Sequence, residues 1–271
     1  MREYLTILRP NVCFLAILAF LAGTLILKID ILSAFLPFLC SILAIFFICS
    51  FGNVINDYFD REIDKINRPS RPIPAGKIKE KVALGYAVVL ACLGIFFSTL
   101  VTLPFLLFAC LNTLIAFIYS WKFKRTIFGN LLDSYLASAC FIAPYFSFSL
   151  PSLNPSLLLL GLIAFFGNYS REVFKDIEDM EGDRKMGAST LPITFGKNFS
   201  LLYARILLSI GLFLSFLPLF LSLTSFLFVL GLIPGAFLSL SALKELSPSK
   251  AQKKLKLAMY LILAGFILGS F

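Results

Sequence analysis

The sequence contains no histidine, one tryptophan and little charge: 14% of its 271 residues are Asp, Glu, Lys or Arg, against about a quarter in an average soluble domain. Without histidine the commonest ligand of zinc, copper and haem iron is missing, so a metal here has to be bound by oxygen. The six cysteines (13, 40, 49, 92, 110 and 140) form no CxxC pair. They lie in or beside apolar runs and read as small core residues with no redox or zinc role. The lead-in MREYLTILRP is short and amphipathic, and no small-residue cleavage site follows it, so it is expected to stay on the mature chain.

What fills the sequence instead is oil. Hydrophobic residues make up 59% of it, with 31 Phe. Apolar runs long enough to cross a hydrocarbon core of roughly 30 Å recur throughout. The expected spans are 11–28, 31–52, 82–101, 103–120, 127–148, 153–174, 199–220, 221–241 and 255–271. The fold class is therefore all-α: one polytopic membrane domain over 1–271, with about nine transmembrane helices. Of the 24 Lys and Arg, 22 fall on one side of that alternation. Cytoplasmic loops retain positive charge, which predicts a cytoplasmic N-terminus and an external C-terminus. Loops around 65–80, 122–126, 184–198 and 244–254 are then cytoplasmic, and 149–155 and Phe271 external. The net charge of +9 is accounted for by this bias and by anionic lipid, so no nucleic-acid partner is expected.

The charges that do occur are concentrated. Asn53, Asp57, Asp60 and Asp64, in the stretch GNVINDYFDREID, stand at offsets 0, 4, 7 and 11. At about 100° per residue they fall within roughly 60° of arc on a helix face. Three carboxylates so close repel unless a cation lies among them. Carboxylate and amide oxygens suit Mg²⁺ or Mn²⁺, which also favour a substrate phosphate. The basic run after them, Lys65 to Lys81, offers counter-charge for that phosphate. A solvated loop of mixed charge is the bland alternative.

A second copy argues against the bland alternative. Asp176, Asp179 and Asp183 lie 119 residues after Asp57, Asp60 and Asp64, with Glu172 in place of Asn53. Further on, PITFGK (Pro192 to Lys197) repeats PIPAGK (Pro72 to Lys77) at a separation of 120. The repeat units are about 31–101 and 153–220. Duplicated units of this kind would let two acidic stripes face a central cavity at the cytoplasmic mouth, with metal ions bridging a diphosphate.

NDYFDREID and DIEDMEGD resemble the two Asp-rich motifs of the UbiA family of intramembrane prenyltransferases. The resemblance covers the whole chain and implies Mg²⁺-dependent transfer of a polyprenyl group from its diphosphate, with the ion held between the motifs. Within the family the extended motifs are most similar to enzymes that join geranylgeranyl diphosphate to the free hydroxyl of geranylgeranylglyceryl phosphate. That step makes the second ether bond of archaeal membrane lipids. NRPxRPxP also occurs in relatives acting on aromatic acceptors, which leaves a quinone-type reaction open; a transporter is the more distant alternative.

The resemblance makes Asp57, Asp60, Asp64, Asp176, Asp179 and Asp183 the catalytic, metal-binding carboxylates. Asn53 and Asn56 assist by ligation or by a hydrogen bond to diphosphate. Arg68, Arg71 and Lys175 are the expected diphosphate contacts. Tyr119 and Lys122, in YSWKFKR, match a Tyr-x-x-Lys pair that the family places near the diphosphate, although an interfacial aromatic beside a positive-inside lysine looks the same. Asp133 and Arg205, charged residues inside spans, are expected as a structural ion pair; snorkelling of Arg205 or its contact with an acceptor phosphate are the other readings.

Overall fold

The computed structural model describes residues 2–152 and 154–270, apart from the side chain of Asn67. The expected external position of Phe271 lies outside the described residues. These are helical throughout, without a strand among them. In chain order the helices are α1 (Arg2–Leu8), α2 (Pro10–Ile26), α3 (Phe35–Phe59), α4 (Arg61–Asn67), α5 (Glu80–Thr99) and α6 (Leu103–Ile118). There follow α7 (Gly129–Ser147), α8 (Pro155–Lys185), α9 (Leu191–Phe195), α10 (Lys197–Phe220), α11 (Val229–Leu243) and α12 (Pro248–Gly269). A π turn, Tyr119–Phe123, extends α6, and a 3₁₀ turn, Phe226–Phe228, leads into α11.

Each expected apolar run overlies one long helix. Six helices, α3, α5, α6 with its π turn, α8, α10 and α11 with its 3₁₀ turn, are long and apolar enough to cross a membrane. The pair α1–α2, bent by 45°, would make a seventh. The expectation of nine is not reached on that measure, because α7 carries Asp133 and α12 carries Lys250, Lys253, Lys254 and Lys256 within its first turns. At 31 residues α8 is about 46 Å long. It outruns a hydrocarbon core, and the charge lies in its C-terminal half, from Arg171.

The chain divides into two compact units. One comprises the chain to Phe20, Asp30–Lys122 and Ala143–Pro151. Here α3 packs against α5, where a Cβ on Gly94 would meet Ile48 Cγ1 at 2.6 Å. The lead-in α1 docks on the same unit with Ile7 and Leu8 buried, Tyr4 edge-on to Tyr86 at 5.7 Å, and Glu3 paired with Lys77 at 3.2 Å.

The other unit comprises Leu21–Ile29, Phe123–Ile142 and the chain from Ser152. Its core is a cluster that includes Val173, Phe174, Leu207, Leu208 and Leu255, from α8, α10 and α12. A Cβ on Gly211 of α10 would meet Phe166 of α8 at 3.2 Å. In both units, then, the acid-bearing helix packs closely on the helix that returns from its loop. Wide apolar faces stay exposed, such as Phe213, Phe220 and Leu230, as surfaces that meet lipid do.

Candidate active site

The first stripe sits where α3 ends. Asp57 belongs to its last turn, Asp60 caps it at φ −86°, and Asp64 lies in the following α4. The sequence pattern predicts one unbroken helix face; the structure breaks the helix at Asp60. Register survives the break, because backbone N–H groups of Asp60, Asp64 and Arg68 donate in turn to Asn56, Asp60 and Asp64 at 2.8–2.9 Å. All three carboxylates are buried, at 3, 5 and 4% exposure, and Asn56 is buried with them.

Buried carboxylates need partners, and two arginines supply them. Arg71 donates to Asp57 at 3.1 Å and also pairs with Asp64, and Arg9 pairs with Asp57. Arg71 arrives there because the loop RPIPAGK winds back on itself. Ala75 N–H donates to Arg71 O at 2.9 Å, Lys77 N–H to Pro72 O at 3.0 Å, and Gly76 closes the turn at φ +71°. Burial raises the carboxyl of Asp64 above its ordinary value, against the lowering influence of Arg71.

The second stripe lies on α8 without a break, and its exposure is different: Asp176 and Asp183 are half-buried and Asp179 is exposed. Asp176 accepts a hydrogen bond from Asn130 Nδ2 at 2.7 Å. Two nearby cations are turned to Glu172, Lys175 at 3.0 Å and Arg171 in direct contact, while Lys124 and Arg125 lie close to Asp183. Arg171 also donates to Asn168 Oδ1 at 3.0 Å, and Asn168 donates to Asp133 Oδ2 at 2.9 Å. The turn after α8 is pinned to the segment before α7 by Ser189 N–H donating to Arg125 O at 2.8 Å.

The structure thus brings Asp57, Asp60, Asp64, Asn56 and Arg71 together in one unit, and Asp176, Asp179, Asp183 and Lys175 along one helix in the other. Arg68 is exposed at the end of α4. Tyr119 is half-buried in the π turn and Lys122 exposed beside it. The amide nitrogen of Asn53 is spent on Leu8 O at 2.8 Å. The expected pair of Asp133 with Arg205 is not formed: Asp133 is met by Asn168, and Arg205 Nε is buried without a hydrogen-bond partner among the described residues. Arg9 and Asn130 are site residues that sequence reasoning missed. They lie 48 and 46 positions from the aspartates they hold, and the available signal was a polar residue at the head of an apolar run.

As a donor set, hard carboxylate oxygens grouped in threes fit Mg²⁺ or Mn²⁺. Among the described residues no three acidic or sulfur-bearing side chains already enclose a point that would hold an ion. On Asp57 and Asp64 the positive charge is supplied by guanidinium groups. The chemistry of the donors fits a divalent cation, with Arg71 standing where counter-charge is needed.

Comparison with known proteins gives a consistent picture. The sequence profile of the UbiA prenyltransferase family matches residues 13–264. A digeranylgeranylglyceryl phosphate synthase of Methanopyrus kandleri is 34% identical, with 98% of each chain covered. That of Pyrococcus abyssi is 38% identical, covering 99% of this chain and 97% of its own. Among solved structures, one described as digeranylgeranylglyceryl phosphate synthase in membranes superposes with a TM-score of 0.81 at 34% identity, over 99% of this chain and 98% of that one. A UbiA homolog from Archaeoglobus fulgidus bound to GPP and Mg²⁺ shares the fold, with a TM-score of 0.69 at 20% identity over 99% of this chain and 100% of that one.

Proposed function

The chain belongs to the UbiA prenyltransferase family, and from that premise we propose that it transfers a geranylgeranyl group from geranylgeranyl diphosphate to the free hydroxyl of geranylgeranylglyceryl phosphate. It is a prenyltransferase and a multi-pass membrane protein. The observation that carries the choice of substrates is similarity of 34% and 38% over nearly the full length to enzymes of that name. The extended motifs support it.

In this reading Asp57, Asp60, Asp64, Asp176, Asp179 and Asp183 bind Mg²⁺, with Mn²⁺ able to substitute, directly or through water. The ion, when bound, supplies charge that stabilises diphosphate as a leaving group. Arg68 and Arg71 donate paired N–H groups to diphosphate oxygens. Lys175 adds a single charge, Asn56 and the carbonyl oxygen of Asn53 complete the polar lining, and Tyr119 and Lys122 are assigned the same ligand. The C1–O bond of the donor breaks and diphosphate leaves with the electron pair. The acceptor hydroxyl oxygen forms the new C–O bond, and its proton goes to the departing diphosphate. Apolar walls limit the access of water to the allylic cation. No Ser, Cys or His nucleophile takes part.

The positive bias of the loops, 22 of 24 Lys and Arg on one side, supports a cytoplasmic N-terminus, an external C-terminus and a reaction at the cytoplasmic side. The test of substrate is direct. Purified protein with Mg²⁺ and labelled geranylgeranyl diphosphate is offered geranylgeranylglyceryl phosphate or 4-hydroxybenzoate. Ether formation with the glyceryl phosphate and little product with the aromatic acid is the expected result. The reverse keeps the family and overturns the acceptor.

A further inference from the structure

The first carboxylate of each stripe is gripped from outside its own helix. Asp57 is held by Arg9, the residue immediately before α2, and Asp176 by Asn130, the second residue of α7. These helices each precede the acid-bearing one, and their first residues, Pro10 and Gly129, are 119 positions apart, the same separation as Asp57 and Asp176. One turn further in, a second contact joins the same helix pairs. Cys13 of α2 meets Ser50 of α3 at 3.4 Å, and Asp133 of α7 meets Asn168 of α8 at 2.9 Å. The four residues of one unit recur in the other at separations of 118 to 121. In the 119 register Asn130 stands opposite Asn11, and Arg9 opposite Phe128, so what recurs is the place of the contact, at the head of the preceding helix, and not the aligned position.

Arg9 carries an independent mark. It stands at φ +51° in the bend between α1 and α2, a backbone conformation disfavoured for any residue with a Cβ. Strain of this kind persists where surrounding structure requires it. Here the surrounding structure includes the buried Leu8, whose carbonyl accepts from Asn53. Asn130, at 8% exposure, is a buried amide whose Nδ2 is spent on Asp176.

We propose that Arg9 and Asn130 are positioning residues in like places, each fixing the leading carboxylate of one acidic stripe from the head of the preceding helix, so that the repeated unit includes α2 and α7. They touch no reacting atom; each acts through its aspartate. The inference rests on the stripes being the metal and diphosphate site. Contacts of this kind typically change metal affinity or activity by about 10–100-fold when removed.

The test uses the full chain, purified in detergent, with Mn²⁺ alone as the probe, read by electron paramagnetic resonance without substrate. Arg9→Met and Asn130→Ala should each weaken Mn²⁺ binding by about 10–100-fold and lower kcat, while donor KM and the unfolding temperature change little. Arg9→Lys and Asn130→Ser, which keep a donor, should recover part of the loss, and they decide the matter if the first variants do not fold. On an Asp57→Ala background Arg9→Met should add no further loss, and Asn130→Ala none on Asp176→Ala. Unchanged or tighter Mn²⁺ binding in either single variant overturns the proposal; tighter binding would mean that Arg9 merely repels the ion. Full loss added on the alanine backgrounds overturns it as well. If Asp57→Ala and Asp176→Ala themselves leave Mn²⁺ binding and turnover intact, the site reading fails instead, and the two failures are thereby told apart.

Discussion

The two acidic stripes share one spacing and are built in opposite ways. On the first, the helix breaks at Asp60, a proline-rich loop folds back, and guanidinium groups reach Asp57 and Asp64 in the protein interior. On the second, the helix runs on to Lys185, Asp179 is exposed, and two of the neighbouring cations, Lys175 and Arg171, are engaged by Glu172. The difference in where Lys175 and Arg171 pair traces to one position of the pattern. Where the first stripe begins with the neutral Asn53, the second begins with Glu172, and that extra carboxylate draws off Lys175 and Arg171. Equal spacing fixes which way the aspartates point along a helix; the residue at the head of the second pattern decides where Lys175 and Arg171 go.

Removing the divalent ion should erase the contrast altogether. Transfer in EDTA is expected to fall to background and to return with Mg²⁺; full turnover in EDTA would show that neither stripe needs a cation. Arg71→Met should be the next most severe change. Truncating one partner of a buried, hydrogen-bonded charge pair costs about 2–5 kcal/mol, here a loss of roughly two orders of magnitude or more in kcat/KM. Lys175→Met, on a side chain more exposed than Arg71 (37% against 16%) and with Arg171 left to pair with Glu172, should cost less, about tenfold. Equal losses at Arg71 and Lys175 would mean that burial does not separate the two stripes.

The loops offer the mildest comparison. Gly76 at φ +71° and Gly196 at φ +85°, ψ +160° stand before the last residue of the matching PIPAGK and PITFGK segments, and a Cβ at either meets nothing within 4 Å. Alanine there costs backbone strain alone, about 1–3 kcal/mol. Both variants should unfold at lower temperature, and Gly196→Ala by more, because its conformation is one that only glycine enters readily. An unfolding temperature equal to the parent's at Gly196 would contradict this.

Much of this was legible in the sequence. Apolar run length located the long helices, since only a helix satisfies its backbone within such a run, and offsets of 0, 4, 7 and 11 located both stripes. Arg71 was singled out as a diphosphate contact because it lies just beyond the acidic motif, but its turn back onto Asp57 and Asp64 was not visible. Nor was the break at Asp60, because the i to i−4 bonds carry helical register straight through it. Arg9 on Asp57, Asn130 on Asp176 and Asn168 on Asp133 were hidden for another reason. Their partners are chosen by how helices pack, and nothing in local spacing encodes that choice. Arg9 looked like one more cytoplasmic charge, and Asp133 like the natural mate of Arg205 at equal depth.

That both stripes serve one reaction is best tested by single-turnover transfer from labelled geranylgeranyl diphosphate with Asp60→Ala and Asp179→Ala, each folded in detergent. Both should slow the chemical step by about 10²–10³-fold, the usual cost of removing a group that stabilises developing charge. The buried and the exposed aspartate should suffer alike despite their surroundings. A near-normal rate in either variant would contradict the account, because one stripe would then be dispensable to the reaction.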